Sequence, residues 1–124
     1  MAPQLTKYLI SERECEELVK SGHVLLFIIF VQKNSKACER FFRHFLIFMA
    51  KHKILLPEFQ VLCIDVEESE RFALQHRVSI TPTLIVVHEG LRKLTRICEI
   101  DEYFMHNWLN ENFKIVRGLD GILS

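Results

Sequence analysis

The chain is short of the residues that build phosphate loops, membrane spans and staples. Four glycines in 124 residues leave no Gly-rich loop to cradle a nucleotide. The longest unbroken apolar run, Val24 to Val31, covers eight residues, less than half of the roughly 20 a spanning helix needs. Sixteen basic side chains balance sixteen acidic ones, which removes any general attraction to nucleic acid or anionic lipid. The small basic clusters, Lys51-His52-Lys53 and Arg92-Lys93 with Arg96, read as a solvated helix end and an exposed hairpin. Six histidines at 23, 44, 52, 76, 88 and 106 show no metal-ligand spacing, so neither metal nor cofactor is expected. The segment Met1 to Tyr8 has no basic n-region and no apolar h-region, so no secretory signal is expected. The four cysteines, at 15, 38, 63 and 98, are not closely paired in sequence. A chain of this length builds a core without disulfides, so reduced thiols in a cytosolic or nuclear setting are expected.

What is present reads as one globular domain over residues 1–124, with a core of about 5–113 and a loose tail over 114–124 that carries two glycines. Ser11-Glu12-Arg13-Glu14 has the form of a capping box and opens a helix through about Lys20, which Ser21-Gly22 ends. Val24 to Val31 is rich in β-branched and aromatic residues without alternation, the mark of a strand buried on both faces. From Lys36 to His52 the apolar positions 38, 41, 42, 45, 46 and 49 keep helical spacing, and Phe48 widens their stripe. Gln60 to Val66 is a second central strand, and a short helix covers Ser69 to about Arg77. Thr83 to His88 and Arg92 to Ile100 form a hairpin around Glu89-Gly90, and Glu102 to Phe113 is a last amphipathic helix. A weak first strand is expected near Leu5 to Ile10. This order predicts an α/β fold, a mixed sheet of 4–5 strands with helices on both faces.

Between the first buried strand and the long helix stands Asn34-Ser35-Lys36-Ala37-Cys38. A strand that runs into a helix whose first turn carries C-x-x-C is the layout of a thiol–disulfide site. Here the first sulfur is replaced by Ser35. About 40 residues later comes Ile80-Thr81-Pro82-Thr83 followed by an apolar strand, the Gly90 turn and a helix containing Trp108-Leu109. With these motifs the chain resembles the thioredoxin superfamily over roughly Leu5 to Phe113. The resemblance implies the thioredoxin fold, a cis bond between Thr81 and Pro82, and a groove beside them in which the backbone of Thr81 pairs with an extended polypeptide. Without the resemblance, Pro82 reads as a kink at a strand edge.

The departures from the family pattern all weaken dithiol chemistry. Ser35 stands at the attacking cysteine, Asn34 at the tryptophan before it, and Ile29 at the buried acid six positions earlier. A serine hydroxyl attacks only when a base activates it. His44 does not serve, since six residues of helix place it about 9 Å along the axis from Cys38. Cys38 keeps two readings. The first turn of a helix favours a thiolate, which makes it a candidate catalytic monothiol. In the family, though, the second cysteine is the shielded one, which favours a small buried core residue. Cys98 falls at the family's groove glycine, where it is an ordinary strand cysteine, lines the slot, or partners Cys38. Similar cases of the fold without dithiol chemistry are the thioredoxin-like modules of multidomain monothiol glutaredoxins and the phosducin-like and spliceosomal proteins. The expectation is a protein-interaction module with a degenerate site, its groove formed by Asn34, Ser35, Lys36, Ala37, Thr81, Pro82 and Cys98. The partner is then a protein or peptide, with no role for nucleic acid or membrane. The alternative is a thiol–disulfide oxidoreductase that uses Cys38, alone or with Cys98.

Overall fold

The computed structural model describes residues 5–22, 25–52, 58–88 and 91–97, together with Asn107. A 3-10 turn at Leu5–Tyr8 is followed by helix α1 (Glu12–Ser21), strand β1 (Leu25–Val31), helix α2 (Lys36–His52) and strand β2 (Phe59–Asp65). Helix α3 (Glu70–Gln75), strand β3 (Thr83–His88) and strand β4 (Leu91–Ile97) complete the described chain. The four strands form one sheet in the order β2-β1-β3-β4. β1 and β2 are parallel, whereas β3 runs antiparallel to both β1 and β4. The expected α/β architecture is therefore present.

All seven residues of β1 are buried, because it lies inside the sheet and both its faces are covered. Leu25, Phe27, Ile29 and Val31 pack with Phe41, Phe42, Phe45, Phe48 and Met49 of α2. Leu26, Ile28 and Phe30 face Cys15 of α1 and Phe72 and Ala73 of α3. Burying one such phenylalanine contributes about 1.5–3 kcal/mol, so the aromatic stripe of α2 is the main fastening on its face. Phe41 and Phe45 stack at 6.4 Å between centroids, and Tyr8 meets Phe42 edge-on at 4.8 Å.

Three expectations need correction. Leu5 to Ile10 is no strand: its sheet contact is a single parallel bridge from Leu9 to Cys63, with the Ile10 N–H donating to the Cys63 carbonyl at 3.1 Å. The segment is too short to alternate, and Leu5, Tyr8 and Leu9 are spent on covering the α2-side core. β2 consequently stands at the border of the four-stranded sheet, outside β1, and not at its centre. α3 closes at Gln75, short of Arg77, since Arg77 turns left-handed at φ 59° and a helix cannot continue through that conformation. The 89–90 turn, Cys98, the tail and all of the expected last helix except Asn107, whose backbone is helical, lie outside the described residues.

Candidate functional site

The strand β1 ends at Val31, and the chain reverses through Gln32 to Ser35 before α2 begins. The Ser35 N–H donates to the Gln32 carbonyl at 3.3 Å, and Asn34 takes φ 65°, a left-handed value that asparagine tolerates better than most residues. Ser35 then caps α2. Its hydroxyl accepts the Cys38 N–H at 3.2 Å and its carbonyl accepts the Glu39 N–H at 3.0 Å. That is the work of a serine N-cap, which satisfies one of the donors that every helix start leaves open. The oxygen standing where the family has its attacking sulfur is therefore engaged in holding the helix.

Cys38, at the third position of α2, points inward and is fully buried. Its sulfur accepts the Gln32 N–H at 3.4 Å. The thiol therefore sits under the strand-to-helix turn, beneath the exposed Asn34, Lys36 and Ala37 and the half-buried Ser35. Ile29, the counterpart of the family's acid, is also fully buried and pairs in register with Cys63 on β2 and Leu84 on β3. No proton acceptor stands at that position.

The second half of the candidate groove arrives from β3. Phe30 pairs with Thr83, which brings Thr81 and Pro82 to the same end of the sheet as the Ser35 turn. The Thr81–Pro82 peptide bond is cis. Pro82 is buried and Thr81 half-buried, and the buried Thr83 hydroxyl donates to the Ile80 carbonyl at 2.6 Å. Ile80 itself is 57% exposed, an apolar side chain at the rim. Six of the seven expected groove residues thus converge on one end of β1 and β3, and Cys98 lies outside the described residues.

A neighbouring feature had no sequence signal. Lys33 reaches across to the end of β2 and the turn after it, 3.7 Å from the Asp65 carboxylate and 3.2 Å from Glu68. These partners, Glu68 foremost, hold its ammonium above the ordinary lysine range. Asp65 is the one charged side chain in the core among the described residues, and its Oδ1 also accepts the Glu67 N–H at 2.9 Å. Here opens a cavity of about 440 Å³, with Leu9 and Ile10 on its apolar side and Ser11, Glu14, Lys33, Asp65, Glu68 and Ser69 among its polar lining. It touches none of the expected groove residues. The signal that failed is range: Lys33 and Asp65 are 32 residues apart, and no local pattern joins them.

The remaining described cysteines are core residues. Burial, reinforced by the charge of Glu16, pushes the Cys15 thiol up to about 12. Burial first and Cys38 second push Cys63 up to about 12. Among the described residues no group of histidine, cysteine or acidic side chains could hold a metal ion, and no helix is long and apolar enough to cross a membrane.

Comparison with known proteins agrees on the fold. No protein-family model matches the chain, and no curated protein does. Solved structures do. The mitochondrial thioredoxin 3 of Saccharomyces cerevisiae, in its oxidized form, is similar with a TM-score of 0.67 at 18% identity, covering 86% of this chain and 97% of that one. Fasciola hepatica thioredoxin follows with 0.66 at 16% identity, covering 84% and 97%. A Nicotiana alata thioredoxin gives 0.66 at 15%, covering 85% and 92%. The chain has the thioredoxin fold. Identities this low carry the fold alone.

Proposed function

We propose that this thioredoxin-like chain is a protein-interaction module, with a dithiol site that no longer reduces disulfides and a groove that docks an extended polypeptide. The observation that carries the reading is the hydrogen bond from the Cys38 N–H to the Ser35 hydroxyl. It gives the replaced sulfur position a structural task, while the surviving sulfur is buried beneath it. The surface left at this end is the exposed Asn34, Lys36 and Ala37 beside Thr81, Pro82 and the exposed Ile80, and the resemblance implies that an extended segment docks there through main-chain hydrogen bonds with side-chain pockets alongside. The working compartment fitting reduced thiols is the cytosol or nucleus.

Two measurements test this. In a reductase-coupled insulin assay the chain shows no turnover above background; turnover approaching that of a dithiol control overturns the reading. In capture experiments Ile80→Glu at the groove rim abolishes partner retention, whereas Ile47→Glu, on the exposed face of α2, preserves it. Equal retention by both variants moves the docking surface elsewhere.

One observation favours a second reading, a monothiol oxidoreductase. The Gln32 N–H donates to the Cys38 sulfur at 3.4 Å and holds it directly under the strand-to-helix turn. On this reading Cys38 forms a mixed disulfide with a low-molecular-weight thiol, alone or resolved by Cys98. Labelling of Cys38 by oxidised glutathione in the native chain would favour it.

A further inference from the structure

The net charge of zero hides a division between the two faces of the sheet. α2, which covers one face, carries Lys36, Arg40, Arg43 and Lys51 against a single acid, Glu39. α1, which helps cover the other, carries four glutamates against Arg13 and Lys20. The turn after β2 and the start of α3 add Glu67, Glu68 and Glu70. On α2 the basic residues are lined up. At about 3.6 residues per turn, Lys36, Arg40 and Arg43 fall within an arc of about 60°, and all three are exposed. None of the three forms an ion pair among the described residues, although Glu39 stands one turn before Arg43. The stripe starts at Lys36, a residue of the groove, and runs away from it along the helix. Ile47 continues the line one turn past Arg43, beyond the last of the three charges.

We infer that the stripe selects the occupant of the groove: an acidic polypeptide whose extended segment sets an apolar side chain against Ile80 and carboxylates against Lys36, Arg40 and Arg43. This rests on the docking reading above and adds the partner's chemistry to it. The spacing suits an extended chain. Lys36 and Arg40 are about 6 Å apart along the helix axis, and alternate side chains of a strand are about 6.7 Å apart. Carboxylates two residues apart therefore meet successive cations, and the long Arg43 side chain reaches the next. One exposed ion pair contributes little, so the selection comes from three in a row, while a basic segment is repelled at each of the same points. A nucleic acid fits less well. The exposed large apolar side chains among the described residues are Ile47, Leu74 and Ile80, none of them aromatic, so bases find no stacking platform beside the stripe.

The test titrates the full chain with a synthetic peptide of about nine residues, with isoleucine at its centre, glutamate at alternate positions on both sides and threonine between. Matched peptides carry glutamine or lysine in place of glutamate, and affinity is read by calorimetry in low salt. The glutamate peptide binds about tenfold tighter than the glutamine one, the lysine peptide does not bind, and added salt removes the preference. Lys36→Glu combined with Arg40→Glu, both at exposed positions, reverses the order so that the lysine peptide binds best. Ile80→Ser weakens the glutamate and glutamine peptides alike. The inference is overturned if the glutamate peptide does not bind, if it binds no better than the glutamine peptide, or if the double variant leaves the order unchanged. An oligothymidylate that displaces the peptide, or a salt-sensitive dimer in sedimentation, gives the stripe to nucleic acid or to a second copy and overturns it too. Equal binding of the two peptides that Ile80→Ser still weakens leaves the docking reading standing without the acidic preference. Charge-selective binding indifferent to Ile80→Ser sinks the docking reading and leaves the acidic selection standing.

Discussion

Two helices of this protein begin with the same device and use it differently. At α1 the Ser11 hydroxyl accepts the N–H of Glu14 at 3.1 Å; at α2 the Ser35 hydroxyl accepts the N–H of Cys38 at 3.2 Å. Both partners stand third in their helices. Glu14 turns back on the exposed side and accepts the Ser11 N–H at 3.3 Å, completing a capping box. Cys38 turns into the core and accepts from Gln32. In α1 the buried stripe starts one residue later, at Cys15. The difference teaches that the cap is a local matter, whereas the third position is decided by which face of the helix meets the sheet. A Ser-x-x-Cys at a helix start is then as much a capping solution as the remnant of a redox site.

The strongest way to break this comparison is to give α2 the third residue of α1. Cys38→Glu would complete a second capping box if the turn were as open as that of α1, and stability would hold or rise. The burial of Cys38 predicts the opposite: a carboxylate forced under the turn without a partner costs about 3–5 kcal/mol. Urea denaturation of the variant against the wild type reads the difference. The reciprocal Glu14→Cys, on an exposed position, should change stability by less than about 1 kcal/mol.

Alkaline titration sharpens the point about buried thiols. Cys15 and Cys63 have folded-state values of about 12, above the ordinary 9.0. Between these values the unfolded chain has released both protons and the folded chain still holds them, so stability falls as pH rises. Their contribution is whole below about pH 9 and is lost through about 12, at up to about 1.4 kcal/mol per pH unit for each thiol. Denaturant midpoints measured from pH 8 upwards should decline more steeply in the wild type than in Cys15→Ala or Cys63→Ala. Equal slopes would place both thiols in contact with water.

The same contrast marks what the sequence discloses. Ser11-Glu12-Arg13-Glu14 announces a capping box because both partners of each hydrogen bond lie within four residues. β1 and α2 are legible for a like reason, since an eight-residue apolar run and a 3–4 periodicity are internal to their segments. The end of the sheet that gathers Ser35, Thr81 and Pro82 is legible only through the family spacing of the motifs. Relations carried by tertiary packing are silent. An apolar run such as Val61 to Ile64 looks central whether its outer neighbour is a strand or the cover of Leu5 and Leu9. Lys33 and Asp65 meet across the end of β1 and β2, and nothing in the order of residues joins them. Ser35 is visible in the sequence as a missing sulfur, and the helix start at Lys36 is legible too; what the structure adds is the Cys38 N–H that its hydroxyl accepts.

The smallest effects separate the cap from sulfur chemistry at the turn. Ser35→Ala removes the acceptor of the Cys38 N–H and should cost about 1 kcal/mol, the ordinary value of a serine cap. Glu14→Ala, which leaves the Ser11 hydroxyl in place, should cost only a few tenths. Ser35→Cys is the informative member of the set. It restores C-x-x-C, yet exchanges a good oxygen acceptor for a weak sulfur one, so its stability should fall close to that of Ser35→Ala. Its insulin-reducing activity should rise above the wild-type background but stay below that of a dithiol control, because Ile29 is buried beside Cys63 and supplies no carboxylate to move the proton. Adding Ile29→Asp to Ser35→Cys tests that last step, and a gain in rate with a further loss of stability is expected. Full activity from Ser35→Cys alone would show that the turn under Asn34 supports dithiol chemistry as it stands and that a single atom decides it.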